Sequence, residues 1–144
     1  SWIVGDVAPT EEQKTLYKVA HEHVMTNIGL IRPGMSFAEM TEIAHRLPEQ
    51  YRALRYGVLA HGVGLCDEYP SVRYPEDVEA HGYSGCFAPG MTLCVEAYIG
   101  AEGGGEGVKL EARMRVSIHS PPRLMLPAWS AAHISFSDRP GRIA

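Results

Sequence analysis

No stretch of the chain approaches the roughly 18 consecutive apolar residues that a membrane-spanning helix requires. Nor does a basic start followed by a short apolar segment mark a secretory leader. A membrane protein is therefore not expected. Cysteine is scarce: Cys66, Cys86 and Cys94 are odd in number and show no disulfide spacing, so reduced thiols and a cytoplasmic location are the expectation. Positive charge is short as well. The 13 Lys and Arg against 17 Asp and Glu leave a formal charge of -4, and no basic stripe carries interleaved aromatics, which argues against a nucleic-acid partner. What remains is 144 residues with 45% apolar and 21% charged side chains, the make-up of one ordinary globular domain with a modest core. Ser1-Trp2-Ile3-Val4-Gly5-Asp6 reads as the interior of a strand with Trp2 in the core, and a start other than Met makes a fragment of a longer chain the expectation.

Thr10-Glu11-Glu12-Gln13 is a capping-box pattern after Pro9, with acids in the first turn. Leu16, Val19, Ala20, Val24 and Ile28 then recur at helical spacing, which predicts a helix over about residues 11–29, stopped by Arg32-Pro33-Gly34. His21 and His23 fall on or near its exposed face and carry no assigned role. Ser36-Phe37-Ala38-Glu39 is a second capping box, and Phe37, Met40, Ile43, Ala44 and Leu47 stripe a second helix. Val58-Leu59-Ala60 reads as strand. Residues 67–88 carry Pro70, Pro75, Gly82 and Gly85 and read as a long irregular loop, a kind of segment that is usually functional or disordered. After the Pro89-Gly90 turn, residues 91–99 are strongly strand-like, and Val108-Lys109-Leu110-Glu111 is the returning strand. The glycine cluster between them lacks P-loop spacing and has no helix pattern after it, so it reads as a hairpin loop.

Composition breaks near residue 112. Residues 1–111 hold 8 basic and 16 acidic side chains, whereas residues 112–144 hold 5 arginines and the single acid Asp138. Pro121, Pro122, Pro127 and Pro140 add to the contrast. The expectation is one unit over residues 1–111 and an atypical Arg- and Pro-rich tail, of the kind a shifted reading frame would produce.

The chemistry-bearing residues lie in the strand-like runs. A lone histidine is more often a hydrogen-bonded core residue than a ligand, but His61 is followed by Gly62 and Gly64, which permit close backbone approach, and by two strand glutamates. Glu96 and Glu111 are 15 residues apart and flank the glycine-rich loop, so a hairpin brings them side by side. Adjacent carboxylates share a proton or bind a cation, and burying them in apolar runs is costly unless they are paired or metal-bound. His61, Glu96 and Glu111 are thus candidate metal ligands. Asp67 is either a turn residue or, beside a dication, a general base. Tyr56, five residues before His61, is by itself more often packing than chemistry.

His61-Gly62-Val63-Gly64-Leu65-Cys66-Asp67-Glu68-Tyr69-Pro70, then Met91-Thr92-Leu93-Cys94-Val95-Glu96, Glu102-Gly103-Gly104 and Lys109-Leu110-Glu111, resemble the creatinase/methionine-aminopeptidase superfamily. Within it they are most similar to dimethylsulfoniopropionate lyases of DddP type, over about residues 1–111. The resemblance implies an α/β (α+β) fold, a partial pita-bread with two N-terminal helices packed on a curved antiparallel sheet. It implies a divalent metal, iron before zinc or manganese, held by His61, Glu96 and Glu111. Asp67 then matches the catalytic base and Tyr56 a substrate-contacting tyrosine. The peptidase branch carries a second histidine just before its Glu-x-Pro; Asp67 stands in that slot here, which favours the lyase. The implied substrate is a small molecule and the implied assembly a homodimer. The alternatives are a metallopeptidase of the Xaa-Pro or methionine aminopeptidase kind and a non-catalytic binding module. The family's aspartate ligands precede its first helix and Asp6 is not in that motif, so little lyase activity is expected of these 144 residues alone.

Overall fold

The computed structural model describes residues 6–118 and the backbone of residues 123–124; Trp2 and most of the expected tail lie outside the described residues. Helix α1 (Glu11–Leu30) begins where Thr10 accepts from the Gln13 N–H and the Gln13 side chain accepts in return from the Thr10 N–H. Both orphan donors are satisfied, and Glu11 and Glu12 lie at the positive end of the helix dipole. Leu16, Ala20, Val24 and Ile28 form its buried stripe, as the spacing predicts. Helix α2 (Phe37–Ile43) has the expected Ser36–Glu39 box but ends earlier than the stripe suggests. Ile43 is exposed, and the chain turns extended at Ala44, which delivers Ala44 and Leu47 to the core from outside the helix. Two forces end it: the His45 N–H leaves the helical ladder for Asn27 Oδ1, and Pro48 biases Leu47 away from helical backbone.

Strands β1 (Val58–Gly62), β2 (Ser71–Arg73), β3 (Thr92–Gly100), β4 (Gly107–Arg115) and β5 (Arg123–Leu124) form one sheet in the order β2-β1-β3-β4-β5, with every neighbouring pair antiparallel. Leu93, Val95, Ala97 and Ile99 of β3, with Val108 and Met114 of β4, share one core with the α1 stripe. By the two-residue period of a strand, Cys94, Glu96, Lys109 and Glu111 lie on the other face. The glycine cluster is the hairpin loop, with Gly103 at φ 74 where a side chain would be strained.

One expectation is corrected here. The stretch read as a long loop contains β2, a 3-10 turn over Pro75–Asp77 and the single-turn helix α3 (Val78–His81). A three-residue strand between two prolines has no period of its own; pairing with β1 creates it. The compositional break at residue 112 falls inside β4, which runs to Arg115 and buries Met114; Val116 is buried just beyond it. Among the described residues, no helix is long and apolar enough to cross a membrane.

His23, expected near the exposed face of α1, is fully buried. Its partners define its protonation. The His45 backbone N–H can only donate, so it fixes Asn27 Oδ1 as acceptor and turns Asn27 Nδ2 toward His23 Nε2 at 3.0 Å. Tyr74 Oη lies 2.9 Å from the same nitrogen. His23 Nε2 is therefore an acceptor, and Nδ1 carries the proton toward His45 Nδ1 at 3.2 Å. Burial, reinforced by His45, lowers the His23 pKa to about 4. A folded-state value below the unfolded 6.5 means the unfolded chain takes up the proton first, so stability present above pH 6.5 is lost as pH falls toward 4. At 1.36 kcal/mol per unit the loss is about 3 kcal/mol. Urea unfolding at stepped pH should show this fall in the wild type and a flatter slope in His23→Gln; parallel slopes would assign the effect elsewhere.

Candidate metal centre

Strand pairing assembles the site. Glu96 and Glu111 are directly opposed across β3 and β4, and His61 sits opposite Cys94 across β1 and β3. His61 Nε2 lies 3.7 Å from Glu96 Oε1 and 3.8 Å from Glu111 Oε1. The three residues singled out from the sequence do converge. Their burial differs: Glu96 is completely buried and His61 nearly so, whereas the Glu111 side chain is 40% exposed at the rim. The expectation of two buried carboxylates thus holds for Glu96 alone, because the outer strand β4 has its polar face open to solvent.

His61 Nδ1 is 2.9 Å from the Gly62 carbonyl, which only accepts, so Nδ1 bears the proton and the Nε2 lone pair faces the carboxylates. A lone pair that faces a carboxylate oxygen from each of two strands is repelled by both unless a cation lies beside it. Donor atoms about 2.1 Å from a shared tetrahedral ion stand roughly 3.4 Å apart, close to the spacing found. Glu96 Oε1 has no hydrogen-bond partner, and Oε2 is 2.9 Å from Lys109 Nζ. Burial holds the Glu96 carboxyl above its ordinary range, and Lys109 pulls it back only in part. An orphaned buried oxygen and a bare imidazole nitrogen, with a rim carboxylate oxygen 3.8 Å from that same nitrogen, are donors of the kind that suit a divalent cation.

The loop after His61 returns at once. The Gly62 N–H donates to the Pro70 carbonyl at 2.7 Å, and a side chain at Gly62 would strike the Tyr69 backbone. Within that loop Asp67 is exposed on a turn, at φ 54, and its N–H bonds Gly64 O at 3.3 Å. The acid brought to the centre is its neighbour Glu68, whose carboxylate groups with His61 and Glu96, all three donor atoms lying within 4.8 Å of one another. Tyr56 donates to Glu68 Oε2 at 2.8 Å, and Lys109 Nζ sits 5.2 Å from its ring centroid. The hydrogen bond to Glu68, with burial, raises the Tyr56 pKa.

The sequence reading missed Glu68, Cys94 and Lys109 as members of this cluster. A signal existed for two of them: Cys94 is two residues before Glu96, and Lys109 two before Glu111, so each shares a strand face with a ligand candidate.

Comparison with known proteins places the chain in a family. The model of metallopeptidase family M24 matches residues 1–117. The chain is 47% identical over 117 residues to the dimethylsulfoniopropionate lyase DddP of Roseovarius nubinhibens, covering 81% of this chain and 26% of that protein. It is 41% identical over 119 residues to the DddP of Roseobacter denitrificans, again 81% and 26%. The chain therefore spans about a quarter of the length of these curated relatives. Among solved structures, the prolidase from Pyrococcus furiosus superposes with TM-score 0.65 at 24% identity, over 85% of this chain and 34% of that one. The fold is the expected partial pita-bread of helices on an antiparallel sheet, and the chain belongs to metallopeptidase family M24.

Proposed function

We propose that these residues build the His/Glu portion of the active site of a lyase that splits dimethylsulfoniopropionate into dimethyl sulfide and acrylate. The observation that carries this reading is the 47% identity to a protein of that name across the segment that holds His61, Asp67, Glu96 and Glu111. In the proposed reaction a base takes the proton from the carbon next to the substrate carboxylate. The electron pair forms the carbon–carbon double bond as the carbon–sulfur bond breaks, and neutral dimethyl sulfide leaves. His61, Glu96 and Glu111 would hold a divalent ion, proposed as iron before zinc or manganese, which would supply positive charge beside the substrate carboxylate.

Asp67 is the proposed base. Its turn places it at the loop tip, open to an incoming substrate, and six residues from His61. Tyr56, fixed at its hydroxyl by Glu68, offers its ring face to a cation, as its contact with Lys109 illustrates, and would receive the sulfonium group. The rival reading, peptide hydrolysis, has support in the family model and in 29% identity over 126 residues to an Xaa-Pro dipeptidase of Pyrococcus furiosus. Assays of acrylate release and of proline-dipeptide hydrolysis by the polypeptide that carries these residues separate the two. Dipeptide cleavage without acrylate would overturn the lyase.

Within a functional lyase, Asp67→Asn should lower kcat by about 10²–10⁴-fold, the usual contribution of general-base catalysis. Glu68→Gln, which keeps an acceptor for Tyr56, should cost far less; the reverse ranking would make Glu68 the base. Tyr56→Leu should raise KM by roughly 2- to 30-fold, equivalent to about 0.5–2 kcal/mol of cation–π attraction, with Tyr56→Phe near wild type.

Metal binding is testable apart from activity. Ferrous or zinc ion at about 100 times its Kd should stabilise the fold by about 2.7 kcal/mol, reversibly with chelator. His61→Ala and Glu96→Gln should abolish that gain; thermal midpoints unmoved by any divalent ion would remove the metal centre.

A further inference from the structure

We infer that Cys94 is an additional metal donor on this sheet face, and that the centre therefore selects thiophilic divalent cations over hard ones such as manganese or magnesium. The inference rests on the metal-centre reading above and adds a ligand type to it. A buried cysteine is most often a small packing residue. Cys94, 6% exposed, does not have a packing residue's surroundings. Its register partners are His61 on one side and Arg113 on the other, and its sulfur lies within 4.8 Å of ligand atoms of His61 and Glu111. The aliphatic residues Leu93 and Val95, which flank it in sequence, point instead into the core.

A second observation points to a ligand in the same place. Two donor sets share His61: one with Cys94 and Glu111, the other with Glu68 and Glu96, each with donor atoms within 4.8 Å of one another. Glu96, wholly buried, turns an oxygen with no hydrogen-bond partner toward their common imidazole. Imidazole and carboxylate alone tolerate manganese, iron and zinc about equally well in kind. A sulfur donor tilts the choice toward zinc, iron or cobalt, because thiolate is a soft ligand. Coordination would replace the S–H bond with a metal–sulfur bond and release one proton to solvent.

The test uses cobalt(II) as an optical probe on the purified chain. Wild-type protein should develop a thiolate-to-cobalt charge-transfer band in the near ultraviolet on titration. The band should persist in the Cys66→Ser/Cys86→Ser variant, which alters only exposed thiols and leaves Cys94 as the sole sulfhydryl. It should vanish in Cys94→Ser, with cobalt and zinc affinity down about tenfold or more and manganese affinity changed by less than about threefold. Cobalt bound without the band, or a band lost with Cys66 and Cys86, overturns the role of Cys94 while leaving the metal centre standing. No cobalt bound by the wild type overturns the centre itself, and this inference with it.

Discussion

The register between β3 and β4 is the constraint on which the rest depends. Because strand side chains alternate, a slip of one residue would turn Glu96 into the core and Leu93 or Val95 toward solvent. What holds the register is the opposite face. Leu93, Val95, Ala97 and Ile99 pack under α1, and each large aliphatic among them contributes about 1.5–3 kcal/mol by burial. Against this stands the several kcal/mol needed to desolvate one ion in a protein interior. The core outweighs that cost, so the sheet can hold Glu96 in a place it would not choose by itself. The opposition of Glu96 and Glu111 is in this sense a by-product of how the hydrophobic face packs.

That arrangement also explains the electrostatics. Glu96 is only half satisfied: Lys109 holds one oxygen, and the other meets a histidine whose available nitrogen carries no proton. A folded chain retains an uncompensated buried oxygen of this kind when something it binds makes good the deficit. Lys109 cannot do so alone, since its ammonium is drawn both to Oε2 and to the Tyr56 ring. The unpartnered carboxylate oxygen, more than the presence of acids, separates this cluster from Glu76 and Asp77, whose carboxylates pair with Arg52 and Arg55.

Much of this was legible from the residues. Capping boxes at Thr10 and Ser36 are local chemistry and announce their helices, and the β3–β4 hairpin announces itself through two apolar strands about a glycine cluster. Convergence of His61, Glu96 and Glu111 followed from that hairpin and a motif. What escaped was set by tertiary contact. Strand β2 exists because β1 lies beside it, and α2 stops because Asn27, seventeen positions before Ala44, captures the next N–H. His23 looked solvent-facing because a helical wheel records polarity and not the buried partners Tyr74 and His45. Glu68 was overshadowed by Asp67 because sequence resemblance ranks neighbours by motif, whereas the turn at Asp67 decides which of two adjacent acids faces inward.

The division between buried and exposed members carries a further consequence. His61, Cys94 and Glu96 are locked by strand pairing and by a core shared with α1, so their positions do not depend on the loop that follows. Asp67 and Tyr56 are solvent-accessible, the first on a turn held by the 3.3 Å hydrogen bond of its N–H to Gly64 and by the Tyr69 N–H to Cys66 at 3.2 Å. Residues that hold an ion need fixed geometry within tenths of an ångström, which a sheet provides. Residues that choose a substrate need access and tolerate replacement. Under the proposed reading, a change of the reacting group is therefore most economically made between Val63 and Tyr69. There the backbone leaves the sheet and returns by the Gly62–Pro70 hydrogen bond, and a new side chain alters the reacting group without disturbing the strands that carry the donors.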